Sequence, residues 1–261
     1  MVHFVGAGSG AADLITVRGS RLLAEADVII YAGSLVNPAL LEYKKEACVI
    51  YDSAKMTLEE VFSVMKDAEE KGLVTVRLHT GDPCVYGAIR EQMDLLNKAG
   101  IAYDYCPGVS AFCGAASALN MEYTLPGISQ TVIITRMAGR TPVPEKEEIA
   151  SLAAHGATMV IFLSTGMLER LSERLMAGGY AADTPAAIVY KATWPDERSY
   201  ICTVSTLAQC ARENQVTKTA LIIVGETVAQ AGYDRSKLYH PAFTTEFRAA
   251  AEGQETDKEE R

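Results

Sequence analysis

Three short loops, each following an apolar run, carry residue types that are suited to binding a ligand. They are residues 6–10 (GAGSG), residues 80–83 (TGDP) and residues 107–110 (PGVS), named here the glycine loop, the GDP loop and the PGVS loop. Glycines let the backbone turn tightly and approach a ligand closely, and the carboxylate of Asp82 can accept hydrogen bonds from an amine or a ribose hydroxyl. Since open α/β sheets bind ligands at the carboxyl ends of their strands, the GDP loop is a candidate site.

Each loop also has a purely structural interpretation. The glycine loop fits GxGxxG/A with Ala11 in the last place, but the second strand ends at Tyr31, without the acid that would bind a ribose. A tight strand-to-helix turn explains the glycines equally well. Asp82 suits a helix N-cap or a turn before Pro83, and Ser110 suits the N-cap of the next helix.

Two stretches of the second half add cations and an aromatic side chain. Arg136 and Arg140 lie in one loop with Pro142 and Pro144, where arginines can hold carboxylates bidentately or simply keep the loop soluble. The stretch YKATWPDE contains Lys191 and the only tryptophan, Trp194, which either packs a hairpin or contributes to a ligand pocket.

The elements that must position these residues alternate between strands and helices in the first half, which is typical of a parallel sheet with helices on both faces. The clearest helix is TLEEVFSVMKDAEEKG, in which Thr57 and Glu60 match a capping box and Gly72 marks the end. The pattern breaks at residues 120–130, which contain a proline and a glycine, so we place a linker there after a first domain of residues 1–119.

The second domain is predicted to cover residues 131–248. Two strand-like runs, PAAIVYKAT and RSYICTV, are separated by a short polar turn, which favours an antiparallel hairpin and therefore a mixed sheet. The last 13 residues, 249–261, hold five acids and two bases and are predicted to be a disordered acidic tail. The sequence thus predicts two α/β domains with a cleft between them.

Composition excludes several classes of protein. The formal charge of −9 argues against a nucleic-acid surface, and no run is both long and apolar enough to cross a membrane. No secretory signal is visible, so we expect a cytoplasmic protein with reduced cysteines. The six cysteines lack CxxC spacing and the four histidines form no ligand pattern, so no bound metal is expected.

Taken together and in order, GAGSGAADLIT, TGDPCVYG, CPGVSAF and TALIIVG resemble the tetrapyrrole (uroporphyrinogen-III/precorrin) methylase family, over residues 2–248. Four further stretches, IYAGSLVNP, SQTVIITRMAGRTPVP, VYKATWPDE and SKLYHPAFTTEFR, resemble its precorrin-4 and cobalt-precorrin-4 branch. The resemblance implies a homodimer that folds S-adenosylmethionine into the cleft and transfers its methyl group to ring carbon 11 of cobalt-precorrin-4. The alternatives are methylation of metal-free precorrin-4 at carbon 11, and methylation at another ring carbon by a sibling activity. A nicotinamide-dependent oxidoreductase and a tetrapyrrole carrier without activity are the rivals from other classes.

Carried over position by position, the resemblance also implies a set of ligand contacts. Ser9 stands where the family usually has proline, and Ala32 stands where some relatives have a catalytic-looking aspartate, so we assign no general base. The carboxylates of the tetrapyrrole need local cations, for which we choose Arg136, Arg140 and Lys191, with Ser9 as a further substrate contact. The implied cofactor contacts are Thr80, Gly81, Asp82, Val85, Tyr86, Ser110, Ala111, Phe162, Leu163, Ala192, Ala220 and Leu221.

Overall fold

The computed structural model describes residues 1–250, and their first half forms a five-stranded parallel sheet. Its strands are β1 (Val2–Gly6), β2 (Val28–Tyr31), β3 (Val49–Asp52), β4 (Thr75–His79) and β5 (Tyr103–Cys106). They are arranged in the order β3-β2-β4-β1-β5, and every pair is parallel. The α-helices that accompany them are α1 (Val17–Glu25), α2 (Leu58–Glu70), α3 (Arg90–Ala99) and α4 (Ala111–Ala118).

Apolar side chains cover both faces of this sheet, as a parallel sheet requires. Leu23 of α1 is buried in a core on one face, and Met65 of α2 is buried in a core on the other. The predicted capping box at the start of α2 is confirmed, since Thr57 and Glu60 bond to each other's backbone N–H groups. Helix α1 begins at Val17, because Thr16 caps it by accepting a hydrogen bond from the Gly19 N–H at 3.0 Å.

The second half forms another five-stranded sheet, which is mixed. Its strands are β6 (Val132–Arg136), β7 (Thr158–Phe162), β8 (Pro185–Tyr190), β9 (Arg198–Thr203) and β10 (Ala220–Val224). In the order β6-β7-β10-β8-β9, only β6 and β7 pair in parallel. Helices α5 (Ile149–Ala153), α6 (Leu168–Ala177) and α7 (Leu207–Glu213) pack against it. The predicted β8–β9 hairpin and mixed sheet are confirmed.

The predicted fold class, two α/β units with a cleft between them, is confirmed. The limits of the domains at residues 119 and 131 stay a prediction, and most of the predicted acidic tail lies outside the described residues. Within residues 1–250, no helix is long and apolar enough to span a bilayer.

Candidate active site

A cavity of about 420 Å³ lies between the carboxyl ends of the first sheet's strands and the second sheet. This volume is within the range of pockets that hold small organic ligands. Both halves of the chain contribute to its wall. All twelve residues to which the resemblance gives cofactor contacts line it: Thr80, Gly81, Asp82, Val85, Tyr86, Ser110, Ala111, Phe162, Leu163, Ala192, Ala220 and Leu221.

The loops that follow β1, β4 and β5 meet backbone to backbone at Gly81, which lines the cavity. Gly8 and Gly81 form a bridge, with N–H to carbonyl distances of 3.2 and 2.9 Å. A Cβ atom added at Gly108 would lie 2.4 Å from the Gly81 carbonyl oxygen, and one added at Gly6 would lie 2.6 Å from the Gly108 Cα. Glycine is therefore required at these positions because the chains approach too closely for any side chain.

The carboxylate of Asp82 connects the GDP loop to the PGVS loop. Its Oδ1 accepts hydrogen bonds from the Cys84 N–H, at 2.8 Å, and from the Tyr105 hydroxyl, while Oδ2 accepts from the Gly108 N–H at 2.8 Å. Burial, at 9% exposure, opposes ionisation of Asp82, but these hydrogen bonds outweigh it and lower the pKa. The turn interpretation of Asp82 is thus present in the structure alongside its place at the cavity wall.

Ser110 occupies the N-cap position of α4, but its side chain makes no capping hydrogen bond. The capping interpretation of its hydroxyl therefore has no support in the structure. Ser110 is buried and lines the cavity.

Backbone strain is concentrated around the cavity. Of the nine non-glycine residues with positive φ in residues 1–250, five line its wall: Tyr86, Ala88, Leu163, Lys191 and Thr219. Such conformations cost of order 1–3 kcal/mol each and persist where the surroundings impose them, commonly at functional sites. Strand β8 ends at Tyr190 because the next residue, Lys191, has a φ of 46° and is no longer extended.

The glycine loop contacts the second domain directly. The Ser9 hydroxyl lies 3.0 Å from the Thr193 hydroxyl, which also accepts a hydrogen bond from the Ala11 N–H at 3.0 Å. Trp194 covers Gly10 so closely that an added Cβ would lie 2.2 Å from the indole ring. Trp194 lines the cavity as well, so both of its proposed roles, packing and pocket wall, are present.

Of the three cations chosen for the substrate carboxylates, the structure places only Lys191 at the cavity wall, together with Ser9. Lys191 already pairs with Asp196 at 2.7 Å. The guanidinium of Arg136 donates to the carbonyls of Thr141 and Pro142 at 3.2 and 2.8 Å, so it holds its own loop. Neither Arg136 nor the exposed Arg140 lines the wall.

Sequence reasoning missed a buried polar group on β4 and α3, formed by Arg77, His79 and Gln92, which all line the cavity. Burial and the neighbouring Arg77 charge lower the pKa of His79 to about 3, so its imidazole is neutral at physiological pH. One signal was available, because an arginine within the mostly apolar run LVTVRL has to find a partner inside the fold.

Comparison with known proteins agrees with this arrangement. Residues 1–208 match the family Tetrapyrrole (Corrin/Porphyrin) Methylases. The chain is 51% identical to the cobalt-precorrin-4 C(11)-methyltransferase of Methanocaldococcus jannaschii, over 95% of each chain. A solved cobalt precorrin-4 methyltransferase structure superposes with a TM-score of 0.85 at 44% identity, covering 87% of this chain and 95% of that one. The uroporphyrin-III C-methyltransferase of Thermus thermophilus, solved with S-adenosyl homocysteine, superposes with a TM-score of 0.75 at 25% identity, covering 88% and 99%. With a matching sequence, two matching sheets and a cavity between them, the chain belongs to the tetrapyrrole methylase family and is a methyltransferase.

Proposed function

We propose that this protein transfers the methyl group of S-adenosylmethionine to ring carbon 11 of cobalt-precorrin-4, giving cobalt-precorrin-5A. The observation that carries the proposal is the cavity between the two sheets, in a chain 51% identical to an enzyme of that name. The nicotinamide alternative has less support, because β2 ends without an acidic residue at the cavity wall, where Ala32 lies instead.

We propose the twelve wall residues named above as the cofactor site. The fit to an adenosyl ligand is supported by the chemistry of the wall, which combines close backbone approach at Gly81 with apolar side chains such as Phe162 and Leu221. The Thr80 hydroxyl is buried without a hydrogen-bond partner in the described residues, as expected for a group that a ligand satisfies.

Methyl transfer depends more on how the two reactants are positioned than on a catalytic acid or base. Methyl transfer from a sulfonium is an in-line displacement, in which the bond from sulfur to the methyl carbon breaks as the new carbon–carbon bond forms. The conjugated ring system of the tetrapyrrole supplies the electron pair. The contribution of this chain is to hold the two reactants at attack distance in a cavity whose wall excludes water.

For the tetrapyrrole we propose contacts from Ser9 and Lys191, which face the cavity from the two domains. Arg136 and Arg140 remain candidates only if substrate binding moves their loop, since Arg136 is engaged with backbone carbonyls.

We also propose a homodimer. Five large apolar side chains between residues 233 and 247 are exposed, and apolar side chains exposed in such numbers over a short segment are suited to an interface. They are Tyr233, Leu238, Tyr239, Phe243 and Phe247. A mass in solution near 28.1 kDa, the value for one chain, would contradict this proposal.

The function is tested by ligand binding and by product analysis. We expect S-adenosylhomocysteine to raise the melting temperature without added metal, while NADH leaves it unchanged. At a ligand concentration about one hundred times Kd, the free energy of unfolding is expected to rise by about 2.7 kcal/mol. With labelled S-adenosylmethionine and cobalt-precorrin-4, the label is expected at carbon 11. A shift with NADH alone, or label at another carbon, would reject the proposal. Metal-free precorrin-4 assayed in parallel separates the aerobic activity from the anaerobic one.

A further inference from the structure

Arg77 is a buried cation at the cavity wall that no carboxylate among residues 1–250 neutralises. Its side chain is 6% exposed, and it lines the cavity. Nε donates to the Gln92 side-chain oxygen at 3.0 Å, and Nη1 donates to the Ile30 carbonyl at 3.2 Å. Both partners are neutral, and these two bonds, through Nε and Nη1, are the only ones that the Arg77 side chain makes to residues 1–250, so Nη2 has no partner there. None of the ion pairs in that part of the chain includes Arg77.

An unpaired charge in this position is costly. Buried charges in proteins are almost always paired, because the loss of hydration is not recovered by neutral hydrogen bonds alone. Burial lowers the pKa of the Arg77 guanidinium to about 10, which still leaves it charged at neutral pH. A branched apolar residue would suit this central strand better, so the cation needs a counter-ion that the described part of the chain does not supply.

Two polar groups near Arg77 in the chain also lack hydrogen-bond partners among residues 1–250. Nε2 of His79, a side chain only 4% exposed, has no hydrogen-bond partner in the described residues, and neither does the Thr80 hydroxyl. Arg77 and His79 are two residues apart on β4 and therefore point to the same face of the sheet. Within residues 1–250, a guanidinium with an unpaired Nη2 and a neutral imidazole with an unpaired Nε2, both at the cavity wall, form a receptor for an anion.

We propose that Arg77, with His79 beside it, receives a carboxylate of a bound ligand inside the cavity. This inference rests on the proposed function, in which two reactants carry such a group. S-adenosylmethionine has one amino-acid carboxylate, and the tetrapyrrole has acetate and propionate side chains. A guanidinium with a free N–H edge suits either, because it can donate to both carboxylate oxygens.

The test compares the wild type with Arg77→Met and Gln92→Glu. The first removes the cation while keeping an apolar stem, and the second keeps the side-chain shape and adds a carboxylate next to Arg77 that competes with the ligand. The probes are S-adenosylhomocysteine, 5′-methylthioadenosine, which lacks the amino-acid carboxylate, and cobalt-precorrin-4 in a labelled-methyl assay. Arg90→Met, at an exposed arginine already paired with Asp94, is the matched control.

If the carboxylate is that of the cofactor, both variants are expected to weaken S-adenosylhomocysteine binding roughly ten- to a hundredfold and 5′-methylthioadenosine binding less than about twofold. If it belongs to the tetrapyrrole, both nucleosides keep their affinity and the KM for cobalt-precorrin-4 rises by a similar factor. Equal losses for all three probes, or no change in any of them, would overturn the inference. If Arg77→Met does not fold, Gln92→Glu decides alone. A wild type that binds neither nucleoside rejects the proposed function instead.

Discussion

Replacing Gly108 by alanine is expected to abolish most cofactor binding and to destabilise the fold by about 1–3 kcal/mol or more. An added Cβ would lie 2.4 Å from the Gly81 carbonyl oxygen and 2.7 Å from the Gly6 Cα. Both neighbours are backbone atoms, so no side-chain rotation can relieve the contact. The PGVS loop would have to move away from the GDP loop, and overpacking of this kind typically costs about 1–3 kcal/mol or more.

The measurements are the free energy of unfolding and the Kd for S-adenosylhomocysteine. Gly166→Ala is the control, because a Cβ at that glycine would meet nothing within 4 Å and its φ is not positive. We expect the control to change stability by less than about 1 kcal/mol and to leave affinity unchanged. A Gly108→Ala protein with the stability and affinity of the control would show that the three loops are not rigidly packed.

The loop that contains Gly108 illustrates how much of the candidate site could be predicted from the sequence. The glycine, GDP and PGVS loops each follow a strand, and parallel strands bring their carboxyl ends to one edge of a sheet, so the location of the candidate site was predictable from pattern and topology. The twelve cofactor positions came from the family resemblance instead, and the structure brings them to one cavity wall.

The roles of the cations were harder to predict from sequence. They depend on distances between side chains that lie far apart in the chain, and the sequence does not give those distances. Arg136 was chosen because arginines suit carboxylates, but its nearest acceptors are carbonyls of its own loop. Arg77 was overlooked since it lies inside a strand, where pattern analysis expects only packing. Its only side-chain partner among residues 1–250 is Gln92, on a helix that follows β4, and this neutral amide leaves the charge in place.

Asp82→Ala is expected to be the most damaging substitution of a side chain at this site. It removes the acceptor for three donors, and a buried donor left unsatisfied costs about 1–3 kcal/mol. We therefore expect a loss of several kcal/mol in stability together with a Kd for S-adenosylhomocysteine raised more than about tenfold. Tyr105→Phe removes one donor only and is expected to have a smaller effect, and Asp183→Ala, at an exposed aspartate, is expected to have none.

The dependence on pH distinguishes a structural carboxylate from one that only contacts the cofactor. The folded protein lowers the pKa of Asp82, so the stabilisation is fully present above the unfolded-state value, about 3.9, and is lost as the pH falls through the lower folded value. The difference in unfolding free energy between wild type and Asp82→Asn is therefore expected to be constant near pH 7 and to shrink below about pH 4. If Asp82→Ala and Asp82→Asn weaken cofactor binding but match the stability of Asp183→Ala at every pH, the carboxylate contacts the ligand and does not hold the two loops together.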